Sequence, residues 1–502
     1  MHIRLRTVLA AALAAVLPGG CEPVGALSGD ALRRPAIAPL EWPDSVEQGD
    51  SAVLRIQVLD HGGVLLTRVL ETKWAGPGVS FRPDATGLEA LALFRLRGQT
   101  VVRVLVRPGA AYPPLEGIDT LFVRTSWTAL GVGDGHSCGV AFDQAFYCWG
   151  SADGGRIGGA SADRVVPGRV VLQSESVGSW AVTASAGGAH TCVLMTDGTA
   201  RCMGENAAGQ LGNGGTASSG TDARVLAGPT TRYAGVAAGA AHTCAVATDG
   251  AVDCWGANGA GQLGTAAPAD RCGGSLESCA RLPRAVPGLP AMAQVSAGAA
   301  HTCAASVLER VYCWGDPRYG ATADPALAAP HRVDAGVLLA VVAAGGRHTC
   351  ALTPGGAAYC WGADDRGQLG RAGADESCAG VRCSSRPVAV GAGIGFTVIS
   401  SGAAHTCAVA TNGRVYCWGS NEHGQLGAPT VADAGCDGVP CARTPVPAAT
   451  PILFRSVSAG AGHTCGISVD LRAYCWGRNA HGQLGLGSRE VSAIPVPLQE
   501  AP

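Results

Sequence analysis

The sequence predicts an all-β protein in which a seven-bladed β-propeller follows a β-sandwich. The first observation is a motif, His-Thr-Cys or once His-Ser-Cys, that occurs seven times at intervals of 47 to 59 residues. A self-similar period of this size is typical of repeat architectures. The second is a further Cys that follows each motif Cys after nine intervening residues. The third is an alternation of short β runs and turn residues before the first repeat.

The N-terminal segment, residues 1–20, has the pattern of a signal peptide. Two arginines precede an apolar run, Val8 to Leu17, that is too short to span a bilayer. Two glycines then precede Cys21, which resembles the bacterial lipoprotein signal, although Pro18 stands where that signal prefers Leu. We expect lipidation of Cys21, with simple secretion as the alternative. Contact with a membrane would then be made only through the lipid anchor.

Residues 21–38 are predicted to form a tether, and residues 39–125 a β-sandwich. The β run Ala52 to Leu59 is followed by the turn Asp60 to Gly63, and several similar runs come after it. This segment resembles the bacterial immunoglobulin-like domains of surface proteins. The resemblance implies a spacer that holds the next domain away from the cell envelope.

Residues 126–502 are predicted to form the propeller. One unit contains a Pro/Val-rich strand, Arg386 to Val390, and an apolar strand from Phe396 towards His405. A hairpin and the sequence Gly-Gln-Leu-Gly at 424–427 complete it. Four strands in a unit of about 54 residues indicate one sheet per blade.

The hairpin of each unit is predicted to carry a disulfide. Gly413 occupies the loop position that favours a left-handed conformation. Pairing of the two strands about Asn412 sets Cys407 opposite Cys417. Opposed residues of an antiparallel pair are close enough for a cross-strand disulfide. Gln144, Glu309 and Leu471 replace this Gly, so three hairpins must turn with strain or differently.

Twenty of the 21 cysteines fall into such pairs, and this usage indicates an oxidising compartment outside the cytoplasm. Only Cys21 is left over. The predicted hairpin disulfides are Cys138–Cys148, Cys192–Cys202, Cys244–Cys254, Cys303–Cys313, Cys350–Cys360, Cys407–Cys417 and Cys465–Cys475. The predicted local disulfides are Cys272–Cys279, Cys378–Cys383 and Cys436–Cys441.

The recurring motifs His-Thr-Cys, Cys-Trp-Gly and Gly-Gln-Leu-Gly resemble those of the regulator of chromosome condensation (RCC1-like) repeat family. The resemblance covers about 375 residues and implies a seven-bladed β-propeller. Met203 replaces the Trp in the second unit, and the fourth unit keeps only Gly320 of the last motif. The resemblance also implies an alternative function, guanyl-nucleotide exchange on a cytoplasmic or nuclear GTPase. The signal peptide and the disulfides argue against that compartment.

The ends of the repeat region predict how the ring closes. The first unit begins at Trp127 without a Pro/Val-rich strand, whereas the last unit runs on into Ile494 to Leu498. We expect this C-terminal strand to complete the first blade. Such an exchange would seal the ring and remove exposed sheet edges.

Composition and repetition argue against several classes of function. The chain has 36 basic and 38 acidic residues, which gives no electrostatic footprint for nucleic acid. A His and a Cys on one strand could bind zinc or form a nucleophile. An active centre is rarely copied seven times, however, and each of these cysteines has a disulfide partner. We therefore predict no catalytic residues, no cofactor and no metal, with histidines that form hydrogen bonds between blades and tryptophans that pack between them.

Three inserts carry the local disulfides and follow the Gly-Gln-Leu-Gly position of units three, five and six. Because they leave equivalent positions, we expect them to emerge on one face of the disc, where disulfides would pre-order them for binding. The candidate binding residues are Glu277, Arg382 and Asp437. The alternative is that the inserts are only stapled surface loops. The sequence as a whole predicts a monomeric, non-enzymatic binding or scaffold protein of the envelope or medium, with a protein or glycan ligand.

Overall fold

The computed structural model describes residues 125–499, apart from gaps at 143, 174–177, 266–269, 273–276, 324–328, 374–375, 392, 430–435 and 437, together with the backbone of seven strands between residues 36 and 123. The chain divides into two compact units with a boundary between Ser126 and Trp127. Among the described residues, no helix combines the length and the apolar character that a membrane crossing requires.

The first unit contains two antiparallel sheets. The four-stranded sheet contains, in spatial order, Ala36–Glu41, Ser51–Leu59, Glu89–Phe94 and Val79–Pro83. The three-stranded sheet contains Glu71–Ala75, Gly98–Arg107 and Leu115–Val123. The immunoglobulin-like assignment stays a prediction, and the signal segment and Cys21 lie outside the described residues.

The second unit is a seven-bladed β-propeller, which confirms the predicted fold. Each blade is one antiparallel sheet whose first four strands follow one another from the axis outwards. Blade 1 contains Trp127–Val132, His136–Ala141, Phe146–Gly150 and Arg164–Val170, with a short 3-10 helix at Asp153–Gly155. Blade 2 contains Ala181–Ala186, His190–Met195, Ala200–Gly204 and Ser219–Arg224. Blade 3 contains Tyr233–Ala238, His242–Ala247, Val252–Ala257 and Glu277–Ala285, with Asp270–Cys272 as a fifth strand.

The remaining blades follow the same plan. Blade 4 contains Met292–Ala297, His301–Ser306, Val311–Gly315 and His331–Arg332. Blade 5 contains Val341–Ala344, His348–Leu352, Ala358–Ala363 and Val381–Ala389, with Glu376–Cys378 as a fifth strand. Blade 6 contains Phe396–Ser401, His405–Ala410, Val415–Ser420 and Cys441–Pro447. Blade 7 contains Phe454–Ala459, His463–Ser468, Ala473–Gly477 and Ser492–Pro497.

The second and third strands of each blade form the stapled hairpin. In blade 6, Cys407 pairs with Cys417 and His405 with Gly419, as the loop length predicts. All seven hairpin disulfides are present, each with 4.1 Å between the two Cα atoms. The three local disulfides are present as well.

The predicted closure by the C-terminal strand is wrong. Ser492–Pro497 pairs with Ala473–Gly477 of its own blade, and blade 1 takes its fourth strand from Arg164–Val170. The reason is the strand order. Each Pro/Val-rich strand pairs with the hairpin that precedes it in the chain, and not with the hairpin that follows it. Every blade is therefore built from consecutive strands, and no strand of the described residues is exchanged between the first and the last blade.

Side-by-side contacts join blade 7 to blade 1 instead. The amide of Trp127 donates to the carbonyl of Leu471 at 2.8 Å, and the indole of Trp149 donates to the carbonyl of Gln483 at 2.8 Å. Asp163 of blade 1 accepts from Arg489 of blade 7 at 3.2 Å. The two blades also share one buried apolar cluster that includes both tryptophans.

The three hairpins without the loop Gly keep the left-handed conformation and are strained. The φ angles are +65° at Gln144, +58° at Glu309 and +63° at Leu471, compared with +80° at Gly413. A side chain in this region costs about 1–3 kcal/mol, whereas Gly costs mainly about 0.5–1 kcal/mol of chain entropy.

Substitution Glu309→Gly should therefore raise the free energy of unfolding by about 0.5–1 kcal/mol. Denaturant titration of the whole chain measures this change. Glu309→Ala is the matched control, because it removes the same carboxylate but keeps the strained Cβ. An equal gain in both variants would show that the carboxylate, and not the backbone conformation, is the unfavourable feature.

Candidate functional site

A closed ring of hydrogen bonds between blades surrounds the axis. The Nε2 atom of each motif His lies 2.8–2.9 Å from the hydroxyl oxygen of the motif Thr, or Ser137, of the next blade. All seven histidines are buried. The last bond runs from His463 back to Ser137, so the ring closes on itself. The predicted role of these histidines as hydrogen-bonding residues between blades is confirmed.

The same hydroxyl group fixes the protonation state of the histidine. The Thr464 hydroxyl donates to the carbonyl of Gln425 at 2.9 Å, so its hydrogen is already used. It must therefore accept a hydrogen from Nε2 of His405, which leaves Nδ1 unprotonated in a neutral ring. Burial lowers the pKa of His405 to about 3. In the described part of the chain, the Nδ1 atoms of His405 and five other motif histidines have no hydrogen-bond partner.

The Gly-Gln-Leu-Gly loop of one blade accepts a hydrogen bond from the Trp of the next blade. The indole of Trp418 donates to the carbonyl of Gln368 at 2.9 Å, and the five other motif tryptophans make the equivalent bond at 2.8–2.9 Å. All six are fully buried, which confirms the prediction that they pack between blades. In blade 2, Met203 cannot donate, and the Thr191 hydroxyl alone bonds the corresponding carbonyl, that of Arg156, at 2.9 Å.

Sequence reasoning missed a glycine that lies three residues before every motif His. A Cβ added to Gly133 would lie 2.4 Å from the carbonyl oxygen of Gly187 in the next blade. The equivalent clashes run around the whole ring at 2.2–2.5 Å, through Gly187, Gly239, Gly298, Gly345, Gly402 and Gly460. Blades can approach so closely at the axis only without side chains. The signal was present in the sequence as the extended motif Gly-x-x-His.

Sequence reasoning also missed the residue that caps each Gly-Gln-Leu-Gly loop. Asn421 accepts a hydrogen bond from the amide of Leu426, at 3.1 Å through Oδ1, and its Nδ2 donates to the carbonyl of Ala428. Asn206, Asn258 and Asn479 act in the same way five residues before a Leu. These caps hold the loops that the neighbouring Trp and Thr bind.

A cavity of about 320 Å³ lies on the axis of the ring. It is lined by the ends of the first strands of all seven blades, mostly by Gly, Ala and Ser, and Asp134 is the only charged residue among the described residues of its wall. A second ring of backbone hydrogen bonds surrounds it, and the last of these runs from the amide of Ala461 to the carbonyl of Gly133 at 3.2 Å. The axis is therefore a structural seam with few groups that could recognise a ligand.

The three disulfide-stapled inserts leave the propeller at equivalent positions. Their second cysteines pair with residues at the end of the third strand, Cys279 with Ala257, Cys383 with Ala363 and Cys441 with Ser420. The carbonyl of the residue before each of these cysteines accepts a hydrogen bond from the amide of the residue after the third strand, at 2.7–2.9 Å. Equivalent positions in a ring of similar blades lie on one face, as expected. We call this side, with the loops between third and fourth strands and the turns between first and second strands, the insert face.

The structure places the three candidate binding residues as follows. Arg382 lies in the fourth strand of blade 5, where its guanidinium is 3.7 Å from the carboxylate of the fully buried Asp364. Glu277 begins the fourth strand of blade 3, and only its backbone is described. Asp437 lies outside the described residues. In the same insert, Arg366 of blade 5 donates to the carbonyl of Cys436 at 3.1 Å and so ties it to the neighbouring blade.

One cluster has the residue types of a metal site. Donor atoms of Glu376, Cys378 and Cys383 lie within 4.8 Å of one another. The two cysteines are joined in a disulfide, however, and a disulfide sulfur is not the thiolate that binds metals. Among the described residues this cluster does not fit a metal ion.

Comparison with known proteins gives a consistent result. Residues 116–442 match the RCC1-like domain, and residues 454–483 and 472–502 match the regulator of chromosome condensation (RCC1) repeat. The chain is similar to the Ultraviolet-B receptor UVR8 of Arabidopsis thaliana, at 28% identity over 383 residues, which cover 72% of this chain and 70% of the receptor. It is also similar to the E3 ubiquitin-protein ligase HERC2 of Homo sapiens, at 27% identity, over 70% of this chain but only 7% of that protein.

Two solved structures show the same fold. Prp20p from Saccharomyces cerevisiae superposes with a TM-score of 0.59 at 21% identity, covering 68% of this chain and 83% of Prp20p. Human WBSCR16 superposes with a TM-score of 0.59 at 20% identity, covering 72% of this chain and 92% of that protein. At this level of identity the likeness concerns the fold alone.

Substitution Thr464→Val should lower the free energy of unfolding by about 1–3 kcal/mol, because it leaves the buried Nε2–H of His405 without an acceptor. Urea titration measures the loss. Thr464→Ser is the matched control and should change little, since Ser137 fills the same role in blade 1. A loss in Thr464→Ser with none in Thr464→Val would mean that the methyl group, and not the hydroxyl, stabilises the ring.

The propeller should also lose stability between pH 7.5 and 5.5. Burial lowers the pKa of His190 to about 4 and that of His242 to about 3, whereas an unfolded His titrates near 6.5. The unfolded state therefore binds more protons than the folded state as the pH falls below 6.5. This lowers the free energy of unfolding by about 1.4 kcal/mol per histidine at pH 5.5. The urea midpoint at the two pH values tests this. Carboxylates stay largely ionised in this window, so a midpoint that does not move would contradict a ring of neutral histidines.

Proposed function

The chain belongs to the RCC1-like domain family, and from this premise we propose that it is a non-enzymatic binding or scaffold protein that works outside the cytoplasm. Its propeller would hold the insert face towards a protein or glycan partner. The observation that carries this proposal is the position of the three inserts. They lie at equivalent positions in blades 3, 5 and 6, between the third and fourth strands, and each is closed by its own disulfide.

The rigidity of the ring supports a binding role. Binding residues concentrate on loops that a rigid scaffold positions, and loops that are ordered in advance lose less entropy on binding. Here the inserts are fixed twice, by the disulfides and by hydrogen bonds such as that from the amide of Asn421 to the carbonyl of Pro440 at 2.7 Å. Partners are also known for a protein of this fold, since the structure of Prp20p was described together with its binding to Gsp1p and histones.

The cysteines and the N-terminus support this location. Ten disulfides in one chain are typical of proteins that fold in an oxidising compartment. Cys21 is proposed to carry a lipid that anchors the protein to the cell envelope, and residues 39–125 are proposed to act as an immunoglobulin-like spacer. Guanyl-nucleotide exchange is the second candidate, by analogy with the family. It would need a cytoplasmic or nuclear GTPase, and proteins of those compartments rarely keep such disulfides.

The partner should be lost when the inserts are removed. We expect the intact chain to capture a partner from envelope extracts, and a variant in which a short Gly-Ser turn replaces each insert to lose it. The matched control is Val307→Ser with Leu308→Ser, which changes exposed residues at the blade 4 hairpin on the opposite side of the disc. Capture by the variant without inserts, at the level of the intact chain, would rule out the insert face as the binding surface.

A further inference from the structure

The residue that caps the loop of blade 5 differs from the caps of its sister blades. Asp364 occupies the position that is Asn in blades 2, 3, 6 and 7, namely Asn206, Asn258, Asn421 and Asn479. The Oδ1 atom of Asp364 accepts a hydrogen bond from the amide of Leu369 at 3.1 Å, as each Asn does from its own Leu. The accepting half of the cap is therefore the same in blade 5.

The donating half of the cap has no counterpart in the ionised form of Asp364. In blades 3 and 6, which also carry inserts, the Nδ2 atom of the Asn donates to the carbonyl seven residues further on, that of Thr265 at 3.5 Å and that of Ala428 at 3.1 Å. The equivalent carbonyl in blade 5 belongs to Arg371. A carboxylate has no hydrogen to donate. The Oδ2 atom of Asp364 is buried, and among the described residues it has no hydrogen-bond partner.

Charge alone joins this oxygen to Arg382. The guanidinium lies 3.7 Å from Oδ2 of Asp364, which is too long for a hydrogen bond. The side chain of Asp364 is 0% exposed and that of Arg382 is 39% exposed, so the pair connects a fully buried carboxylate to a cation that solvent reaches. A buried carboxylate that lacks hydrogen bonds is unfavourable, and uptake of a proton relieves this cost.

Burial and three arginines have opposite effects on this carboxyl group. Burial is the larger effect and raises the pKa of Asp364, whereas the hydrogen bond from the amide of Leu369 lowers it. Arg382, Arg443 and Arg371 lower it further, from the fourth strands of blades 5 and 6 and from the loop after Gly370. The net result is a pKa above the ordinary value of an Asp side chain.

We propose that Asp364 is a proton-controlled catch for Arg382. In the ionised state the carboxylate holds the guanidinium against the insert of blade 5. In the protonated state Oδ2 carries a hydrogen from solvent and donates it to the carbonyl of Arg371, as Asn421 donates within its own loop, and Arg382 is released. Because Arg382 is a candidate binding residue of the insert face, the control of binding by this catch rests on the proposed function.

The catch couples engagement of Arg382 to the uptake of one proton. A partner that draws the guanidinium away would leave Asp364 as an uncompensated buried charge, which is strongly unfavourable. Protonation of Asp364 removes this cost, so contacts made by Arg382 should strengthen as the pH falls. Blades 3 and 6 have the neutral caps Asn258 and Asn421, and their inserts gain no such dependence from the cap.

The variant Asp364→Asn of the full chain should fix the released arrangement, because its amide has the donor that the carboxylate lacks. At pH 7.5 we expect Arg382 to react about two- to fivefold faster in this variant with an arginine-specific dicarbonyl reagent, the size expected for the loss of one partly exposed ion pair. Mass spectrometry maps the modified residues. Arg281 of blade 3 is the internal control and should react equally in both proteins, because its partner Asp270 is unchanged.

Urea titration of the same two proteins tests the role of the proton. Asp364→Asn should raise the folding equilibrium constant about fivefold at pH 7.5, the value of one net hydrogen bond. Because the pKa of Asp364 is higher in the folded than in the unfolded chain, the wild type gains stability relative to the variant as the pH falls. The advantage of the variant should therefore be smaller at pH 5.5. Comparison at each pH removes the contribution of the histidines, which both proteins share.

The matched control places the same carboxyl group in a sister blade. Asn421→Asp removes the donor to the carbonyl of Ala428 and keeps the acceptor for Leu426. It should lower the folding equilibrium constant at pH 7.5 and recover part of the loss at pH 5.5. A loss that is the same at both pH values would show that a carboxyl group in this cap does not take up a proton.

Three further results would overturn the inference. They are equal reactivity of Arg382 in wild type and Asp364→Asn, a variant less stable than wild type at pH 7.5, or an advantage of the variant that does not shrink at pH 5.5. The proposed function is tested separately by the replacement of the inserts. If one of these results is found while partner capture still depends on the inserts, only this inference is lost.

Discussion

The ring depends on a buried hydroxyl group that serves two neighbouring blades at once. The Thr464 hydroxyl accepts from His405 and donates to Gln425, and both of these partners belong to the preceding blade. The sulfur of Cys407 lies 3.8 Å from the same hydroxyl oxygen. Three consecutive residues thus have three linked roles. His donates a hydrogen bond to the next blade, Thr bonds to the preceding blade, and Cys forms the disulfide of the hairpin that carries both. Seven copies of this contact fix the angle between blades and close the circle without a shared strand.

This division of labour explains how one scaffold can carry a specialised surface. The contacts between blades lie in the second and third strands, in the glycines near the axis and in the capped Gly-Gln-Leu-Gly loops. Segments inserted after those loops, such as Asp270–Cys272 and Glu376–Cys378, extend a blade at its outer edge and leave the ring contacts in place. The insert face can therefore change its length and charge at little cost to the fold.

The architecture of the propeller could be predicted from the sequence because its signals are local and repeated. The spacing between Cys407 and Cys417 sets a hairpin register by itself, and seven copies of it indicate seven sheets. The closure was mispredicted for a physical reason, since a Pro/Val-rich strand between two hairpins can pair with either of them and sequence order does not decide which. The glycine ring was missed because its role is a contact with a neighbouring blade, 47 to 59 residues away for successive blades. The Asn caps bond within their own loop, and their spacing of five residues before a Leu was present in the sequence.

The central claim is that the protein is a closed ring of seven disulfide-stapled blades and that it folds in an oxidising compartment. The most direct test is to alkylate the protein in its native source without prior reduction and to map its cysteines by mass spectrometry. We expect twenty of the 21 cysteines to be found in ten pairs, from Cys138–Cys148 to Cys465–Cys475, including the three pairs of the inserts. Alkylated free thiols at the hairpin positions would contradict it, because the fold would then be assembled without its staples and the argument for a location outside the cytoplasm would fail.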